Sequence, residues 1–238
     1  DHNNRVLVEQ GLTRIRAGRM SPGIRALMQV AGRDPNRAST YDLGFVVGPR
    51  LNAAGRLDDM SLGIACLLAE NERTATALAS RLDTLNRERR SIESDMRDVA
   101  FATLEDVDVG ARYALSLFDT SWHQGVVGIL ASRVREKYHR PVIAFALDGQ
   151  GNLKGSGRSI SGFHMRDALD LVTKRHPALI SKFGGHAMAA GLTIPETGLV
   201  DFANAFEVVA RELLTPADLA ERIETDGALD ADELTFDF

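Results

Sequence analysis

A run of small residues surrounds one imidazole at residues 184–191, which read Gly-Gly-His-Ala-Met-Ala-Ala-Gly. Small side chains let a backbone come close to something bulky, and glycines ahead of a helix leave N–H groups free to bind an anion. His186 could donate to a phosphate or carry a proton. Alone, the run is better explained by a tight helix–sheet contact with a buried histidine, so other motifs must decide.

Two further stretches combine small residues with phosphate-binding types. Residues 119–128 read Asp-Thr-Ser-Trp-His-Gln-Gly-Val-Val-Gly, between a predicted strand and a predicted helix. A phosphate could lie at that helix start, with a base stacked on Trp122. Residues 155–159 read Gly-Ser-Gly-Arg-Ser, where the Arg158 fork and two hydroxyls suit a terminal phosphate. The spacing differs from that of a Walker A loop.

An arginine pair precedes these stretches in residues 50–56, Arg-Leu-Asn-Ala-Ala-Gly-Arg. Arg50 and Arg56 could converge on one ligand if the chain turns at Gly55, and arginine binds phosphate through paired donors. The alternative is a solvated loop with two surface arginines. Together with the three small-residue stretches, the pair favours an anion-binding cleft.

The elements that must position these residues indicate an α/β protein in several parts. Residues 1–70 read as helical, with Ser21-Pro22 opening one helix and Gly48-Pro49 ending another. Apolar residues at steps of four and three predict an amphipathic helix over 74–104, about 45 Å long. An α/β unit with a small mixed sheet follows. Its predicted strands span 113–118, 141–146, 153–158 and 192–194, and its predicted helices span 126–138, 165–173 and 200–214. The predicted domains are a helical segment at 1–72, a connector helix at 73–106, a substrate-binding domain at 107–213 and a truncated further domain at 214–238.

Composition and charge narrow the classes of protein to which this chain can belong. The chain has 238 residues, 44% hydrophobic and 26% charged, with no apolar run long enough for a membrane span and no visible signal peptide. Its one cysteine, Cys66, predicts a buried thiol in a cytoplasmic protein. The net charge is −5, but residues 196–238 hold 12 acidic and 2 basic residues, which leaves the remainder at +5. A polyanion could therefore be steered to the body of the chain.

Metal-binding and nucleophilic motifs are not recognisable in the sequence. There is no His-Glu-x-x-His helix, no Ser-His-Asp set and no series of carboxylates with metal-ligand spacing. His164, Asp167 and Asp170 share one helical side without forming a convincing metal site. The residues by themselves indicate anion binding and no particular reaction.

Four motifs, taken in order, resemble the bacterial RecJ single-strand-specific exonucleases, which are DHH phosphoesterases: residues 50–56, 122–128, 155–159 and 184–191. The resemblance implies a 5′-to-3′ single-stranded-DNA exonuclease of DNA repair and recombination. It also implies two lobes joined by the long helix, with Asp and His ligands for two Mn²⁺ or Mg²⁺ ions in the first lobe. The second lobe would bind the single strand and its 5′ phosphate.

Site residues follow from the same resemblance. The residues implied to be catalytic are His186, Arg50 and Asn52. The residues implied to bind substrate or phosphate are Ser156, Gly157, Arg158, Ser159, Arg56, Trp122, His123, Gln124, Gly184 and Gly185. The family's metal motifs do not occur in this sequence. The chain is therefore expected to begin after the metal-binding half, to bind no metal and to be inactive alone. Expected partners are single-stranded DNA and a single-strand-binding protein. No association with a membrane is expected.

Two alternatives stay open at the level of sequence. One is a phosphodiesterase for very short oligonucleotides or cyclic dinucleotides, and the other is a non-catalytic nucleic-acid-binding module. Dependence of binding on substrate length, and on salt, would separate a strand-binding groove from a dinucleotide pocket.

Overall fold

The chain begins with a helical lobe in the computed structural model, which describes residues 1–222, 225 and 227–229. Its α-helices are α1 (His2–Arg16), α2 (Pro22–Val30), α3 (Gly48–Leu57) and α4 (Ser61–Leu67). As predicted, Ser21 caps α2, where its Oγ accepts from the Ile24 N–H at 3.4 Å and Pro22 lies in the first turn. Cys66 is buried as predicted, and burial raises the pKa of its thiol.

The predicted helix end at Gly48-Pro49 is wrong. A π-helical turn (Asp42–Val47) runs directly into α3, which includes Gly48 and Pro49 in its first turn. Pro49 therefore lies inside a continuous helical segment, where it cannot donate a backbone hydrogen bond. The arginine motif at 50–56 is consequently helical, and no loop turns at Gly55.

The predicted long helix is confirmed as α5 (Glu72–Glu105), whose 34 residues extend about 51 Å. Asn71 caps it by accepting from the Thr74 N–H at 2.9 Å. Leu82 is buried in the core of the helical lobe, whereas Met96 is buried in the core beneath the next domain. One helix therefore contributes to both hydrophobic cores and holds the two parts of the chain together.

The second part contains a mixed sheet, as the sequence predicted, and helices lie on both of its faces. Its strands are β1 (Leu115–Phe118), β2 (Val142–Leu147), β3 (Asn152–Arg158), β4 (Lys182–Gly185) and β5 (Ala189–Pro195). They are ordered β1-β2-β3-β5-β4, and β1 and β2 are parallel while the other neighbours are antiparallel. The helices are α6 (Val127–Tyr138), α7 (Met165–Arg175) and α8 (Leu199–Leu213).

The two faces of this sheet are covered to different extents. On one face, α7 and α8 pack on a core that includes Phe145, Phe202 and Phe206. On the other face, α6 packs on the alternate residues Val142 and Ala144 and also contacts β3. Beyond α6, side chains of β3, β5 and β4 are exposed. This exposed part is called the open face below, and it carries Lys154, Ser156, Arg158, Lys182, Gly184, Gly191 and Thr193.

The run at 184–191 is a β-hairpin that contacts α7, so the prediction of a helix start there is wrong, as is that of a buried histidine. Gly184 pairs with Gly191 and Gly185 with Ala190, and the tip lies at 186–188. Gly185 has φ of 150°, and a Cβ there would lie 2.4 Å from the Ala189 carbonyl oxygen. This hairpin therefore requires glycine at 185. His186 is exposed at the tip.

Two further predictions concern the C-terminal part of the chain and the absence of membrane-spanning segments. About half of the further domain predicted at 214–238, namely residues 223–224, 226 and 230–238, lies outside the described residues, and the domain bounds stay predictions. Of the described helices, none combines the length and the apolar character needed to cross a membrane.

Candidate nucleic-acid interface

Arg158, at the end of β3, is the centre of the candidate site. Its Nε donates to Ser132 Oγ at 3.2 Å, and its Nη1 donates to Ser156 Oγ at 3.1 Å and to the Gly157 carbonyl at 2.8 Å. Among the described residues, no carboxylate oxygen lies within 4 Å of this guanidinium. Neutral oxygens thus orient a partly buried cation whose charge stays uncompensated, which favours an anion as ligand.

Other arginines add positive charge around Arg158. Burial lowers the pKa of Arg158, and the charges of Arg56 and Arg135 lower it further, although the group stays protonated. The pKa of Arg89 is lowered by burial, with Arg90 and Arg56 contributing in the same direction against the opposing effect of Glu93. These shifts show that the charge of Arg56 acts on both Arg89 and Arg158. The field at this junction is therefore suited to a polyanion.

The first turn of α6 lies directly beside the guanidinium. A Cβ added to Gly128 would stand 2.9 Å from Arg158 Nη2 and 2.9 Å from Ser156 Oγ. Glycine at 128 therefore lets the arginine reach the positive end of the helix. A helix N-terminus and an arginine directed at the same space both stabilise a negative ligand. The sequence predicted an anion at this helix start, but it did not predict that Arg158 would lie there.

Arg50 and Arg56 do not converge as the sequence predicted, because they project from different sides of α3. Arg50 is largely covered by α5, where Nη2 lies 2.8 Å from Asp83 Oδ1, and its Nη1 donates to the Val46 carbonyl at 2.7 Å. Arg56 is exposed and donates through Nη1 to the Gly125 carbonyl at 2.9 Å. Asn52 is exposed on the same helix. Of the two arginines, Arg56 is the one that lies near Arg158.

The loop ahead of α6 presents different residues from those expected. Trp122 is only 5% exposed and belongs to the core beneath α6, so it is not the stacking surface that the sequence predicted. Its apolar ring fills the space under the loop, where α5 and α6 meet. His123 and Gln124 are exposed, and His123 Nδ1 accepts from the Gly125 N–H at 3.1 Å. The exposed polar residues of this loop are therefore Thr120, Ser121, His123 and Gln124.

Ser159 does not fit the phosphate-binding role implied for it. It is fully buried, and its Oγ donates to the Phe163 carbonyl at 2.6 Å. Strand alternation explains the difference: Ser156 and Arg158 share the open face, whereas the chain turns inward after β3. Gly157 points to the opposite face, where a Cβ would stand 3.2 Å from Met165 Sδ. Its carbonyl nevertheless accepts from Arg158.

His186 is held at the tip of the hairpin with one ring nitrogen engaged. Nδ1 accepts from the Met188 N–H at 3.3 Å, which places the proton of a neutral ring on Nε2. The tip is fixed because the Ala187 and Met188 carbonyls accept from the Met165 and Ser159 N–H groups. Arg158 pairs with Ala189 in the sheet. The hairpin tip therefore lies at the end of β3 that carries Arg158. Gly184 is exposed on the open face, while Gly185 shapes the hairpin.

Four residues near the site were missed from the sequence: Ser132, Arg135, Lys154 and Lys182. Ser132 lies one helical turn after Gly128, so helical spacing from the glycine motif could have identified it. Lys154 precedes Ser156 by two residues and thus shares its face. No signal in the sequence joins Lys182 to Lys154, because β5 lies between their strands.

A metal site does not form among the described residues. They contain no group of three or more His, Cys, Asp and Glu side chains arranged to hold a metal ion. His164 and Asp167 do contact, with Nδ1 3.2 Å from Oδ2, but His164 mainly caps α7 by accepting from the Asp167 N–H. The donor set of this part of the chain therefore does not fit a two-metal centre.

Comparison with known proteins first identifies the class of the α/β part. Residues 110–213 match the DHHA1 domain family. The mixed sheet with its glycine-rich hairpin and the arginine at the end of β3 is therefore a DHHA1 domain. This class by itself covers less than half of the chain, and the helical lobe and α5 lie outside it.

Relatives extend the match over the whole chain. The chain is 51% identical to the single-stranded-DNA-specific exonuclease RecJ of Salmonella typhimurium and 50% identical to that of Escherichia coli, over 100% of this chain and 42% of each relative. The crystal structure of RecJ in complex with Mg²⁺ from Thermus thermophilus superposes with a TM-score of 0.75 at 33% identity, over 88% of this chain and 31% of that one. A structure of exonuclease RecJ bound to manganese gives the same TM-score. The chain belongs to the RecJ family and spans about two fifths of the length of these relatives.

Proposed function

We propose that this chain is the strand-binding part of a 5′-to-3′ single-stranded-DNA exonuclease of DNA repair and recombination, and that it holds the 5′ phosphate at Arg158. The observation that carries the proposal is the uncompensated guanidinium between Ser132, Ser156 and Gly128. A phosphate there would accept from a charged fork and from hydroxyls. The names of the relatives support single-stranded DNA as the polymer.

In this proposal Arg56 and the exposed His123 and Gln124 contact the strand at the junction between the two parts of the chain. His186 would face the scissile phosphate, with Nε2–H as its available donor. Asn52 would contact the strand from α3. Arg50 would act indirectly, because its pair with Asp83 positions α3 on α5. A single-strand-binding protein stays a proposed partner on the resemblance alone.

Hydrolysis would need Mn²⁺ or Mg²⁺ ions, as the titles of the related RecJ structures suggest. The described residues hold no cluster that fits these ions, so the ligands would come from outside this part of the protein. Two-metal hydrolysis depends on both ions. We therefore expect these 238 residues alone to leave single-stranded DNA intact when manganese is added, and degradation would contradict this expectation.

Fluorescence anisotropy with single-stranded DNA, with and without a 5′ phosphate, tests the proposed anchor. The wild-type chain should bind the phosphorylated strand more tightly, and Arg158→Ala should remove that gain. A charge-assisted contact contributes roughly 1.5–3 kcal/mol, which corresponds to about ten- to a hundredfold in affinity. Arg73→Ala, at an exposed arginine in the first turn of α5, is the matched control and should retain the gain.

Two outcomes would contradict the anchor. In the first, binding is indifferent to the 5′ phosphate. In the second, Arg158→Ala and Arg73→Ala weaken binding equally, which would reduce the effect to net charge. Binding that does not increase from a dinucleotide to an octanucleotide would instead favour the function on very short substrates.

A further inference from the structure

A second row of cations crosses the open face, two residue rows away from Ser156. In the sheet register Lys154 pairs with Thr193, and Thr193 pairs with Lys182 on its other side. The Lys154 Nζ donates to Thr193 Oγ1 at 3.1 Å, which places its ammonium over the strands and not away from them. Both lysines are exposed. Two of the four lysines in the sequence thus flank one threonine on this face.

Neither ammonium group forms an ion pair among the described residues, although the pKa of Asp148, lowered mainly by a backbone hydrogen bond, is lowered further by the charge of Lys154. Among the described residues, no carboxylate oxygen lies within 4 Å of Lys154 Nζ or Lys182 Nζ. By contrast, the Nζ of Lys174, on α7, lies 2.7 Å from Asp170 Oδ2. The lysine row therefore adds charge to the face that carries Arg158 without neutralising it, which is expected of a surface for an extended polyanion.

The surface between the lysine row and Arg158 is flat because Gly184 and Gly191 lie there, although the fold has space for a side chain at both positions. A Cβ added to Gly184 would meet no atom within 4 Å, and one added to Gly191 would meet only the Gly155 carbonyl oxygen at 3.9 Å. Gly155 differs, since its Cβ would stand 2.5 Å from the Phe145 ring. Gly184 and Gly191 leave room for a shallow groove of about 340 Å³, which Lys154 and Lys182 line.

We propose that Lys154, Thr193 and Lys182 form a second phosphate-binding row for the backbone of the same single strand. Arg158 and Lys154 are four residues apart on β3, roughly 14 Å between Cα atoms at about 3.4 Å per residue. The two rows therefore contact phosphates of different nucleotides. This inference rests on the proposed function, because it takes the strand held at Arg158 as the ligand.

The test compares Lys154→Gln/Lys182→Gln with Lys174→Gln by fluorescence anisotropy, using a 5′-phosphorylated octathymidylate and, in competition, a 5′-phosphorylated dithymidylate. The double variant should bind the octanucleotide about tenfold more weakly and the dinucleotide unchanged. Its plot of log affinity against log salt should be shallower by about 1.4, the sum for two single-strand phosphates. Lys154→Arg/Lys182→Arg should restore the wild-type slope, and Lys174→Gln should match the wild type.

A second variant, Gly191→Val, tests the groove independently of charge. It should retain the melting temperature of the wild type, because a side chain there has open space, and it should weaken octanucleotide binding. Unchanged octanucleotide affinity and salt slope in the lysine double variant would overturn the inference, as would an equal loss with the dinucleotide. If Arg158→Ala still removes the 5′-phosphate gain, the proposed function survives that result. If Arg158→Ala has no effect, the proposed function itself fails.

Discussion

Arg56, near the end of α3, lies against Gly125, just ahead of α6, and this contact joins the helical lobe to the DHHA1 domain. The Arg56 Nη1 donates to the Gly125 carbonyl at 2.9 Å. A Cβ at 125 would stand 2.0 Å from the Arg56 carbonyl oxygen, so two backbones meet with no room for a side chain. The position of the lobes around Arg158 therefore depends on a glycine at 125 as well as on α5.

Gly125→Ala should destabilise the chain, because the three atoms nearest to the added Cβ are the O, C and Cα atoms of Arg56, which all belong to the backbone. Overpacking of this kind typically lowers the free energy of unfolding by about 1–3 kcal/mol. Urea unfolding followed by circular dichroism measures the change. Gly11→Ala in α1 is the control, since a Cβ there meets nothing within 4 Å and alanine favours a helix. Equal unfolding curves for Gly125→Ala and the wild type would contradict the described contact.

Gly128→Ala should weaken phosphate binding without unfolding the chain. The added methyl group would stand 2.9 Å from Arg158 Nη2 and Ser156 Oγ, and both are ends of side chains that can move. We expect the 5′-phosphate gain to fall by about 1 kcal/mol, while unfolding stays within about 0.5 kcal/mol of the wild type. Anisotropy with phosphorylated and unphosphorylated strands gives the first quantity. An undiminished gain would show that the arginine does not bind from beside this turn.

Glu93 connects the long helix to the DHHA1 domain, and Glu93→Gln should be strongly destabilising. Its carboxylate is buried, with Oε2 2.5 Å from Arg89 Nη1 and Oε1 3.3 Å from Arg133 Nε on α6. Removing this charge leaves the largely buried Arg89 without its partner, which typically costs about 3 kcal/mol. Glu136→Gln, at a half-exposed partner of Arg133, should cost less than about 1 kcal/mol. Similar losses in urea unfolding would mean that burial of Glu93 is unimportant.

Asp42 should make stability depend on pH in the acid range. The Ser39 hydroxyl, which donates to Asp42 Oδ2 at 2.7 Å, lowers the pKa of Asp42 against the opposing effect of burial, and the Ser39 N–H and Arg33 lower it further. Because the pKa is lower in the folded state, this stabilisation is present above the ordinary value of 3.8 and is lost as the pH falls below it.

Urea unfolding of the wild type and of Asp42→Asn, from neutral pH to about pH 3, measures this dependence. The difference in the free energy of unfolding between the two proteins should be constant near neutrality and should shrink on acidification. Ser39→Ala, which lacks the hydroxyl donor, should show a weaker pH dependence than the wild type. A difference that stays constant down to the lowest pH would contradict the assigned role of Asp42.

Local signals predicted most of the elements and the family. Ser21-Pro22 opens α2, and the apolar spacing along α5 gives its length. A continuous apolar run gives β2, and the turn at 148–151 separates it from β3. These signals act within a few residues, so a single sequence contains them. The four motifs, in their order, also carry the resemblance to RecJ. Gly48-Pro49 does not end a helix as predicted, because the helical backbone of the preceding π-helical turn continues through both residues.

The sequence by itself determined the family, the order of the elements and the presence of phosphate-binding residue types. Only the tertiary structure decided which of those residues meet. Trp122 is buried, Ser159 donates to the Phe163 carbonyl and Arg50 is paired with Asp83. Arg158, Ser156 and Lys154, by contrast, share the open face. The physical reason is that sheet register and the packing of α5 between two cores fix the direction of each side chain. These depend on contacts between residues far apart in the chain, which motif spacing does not encode.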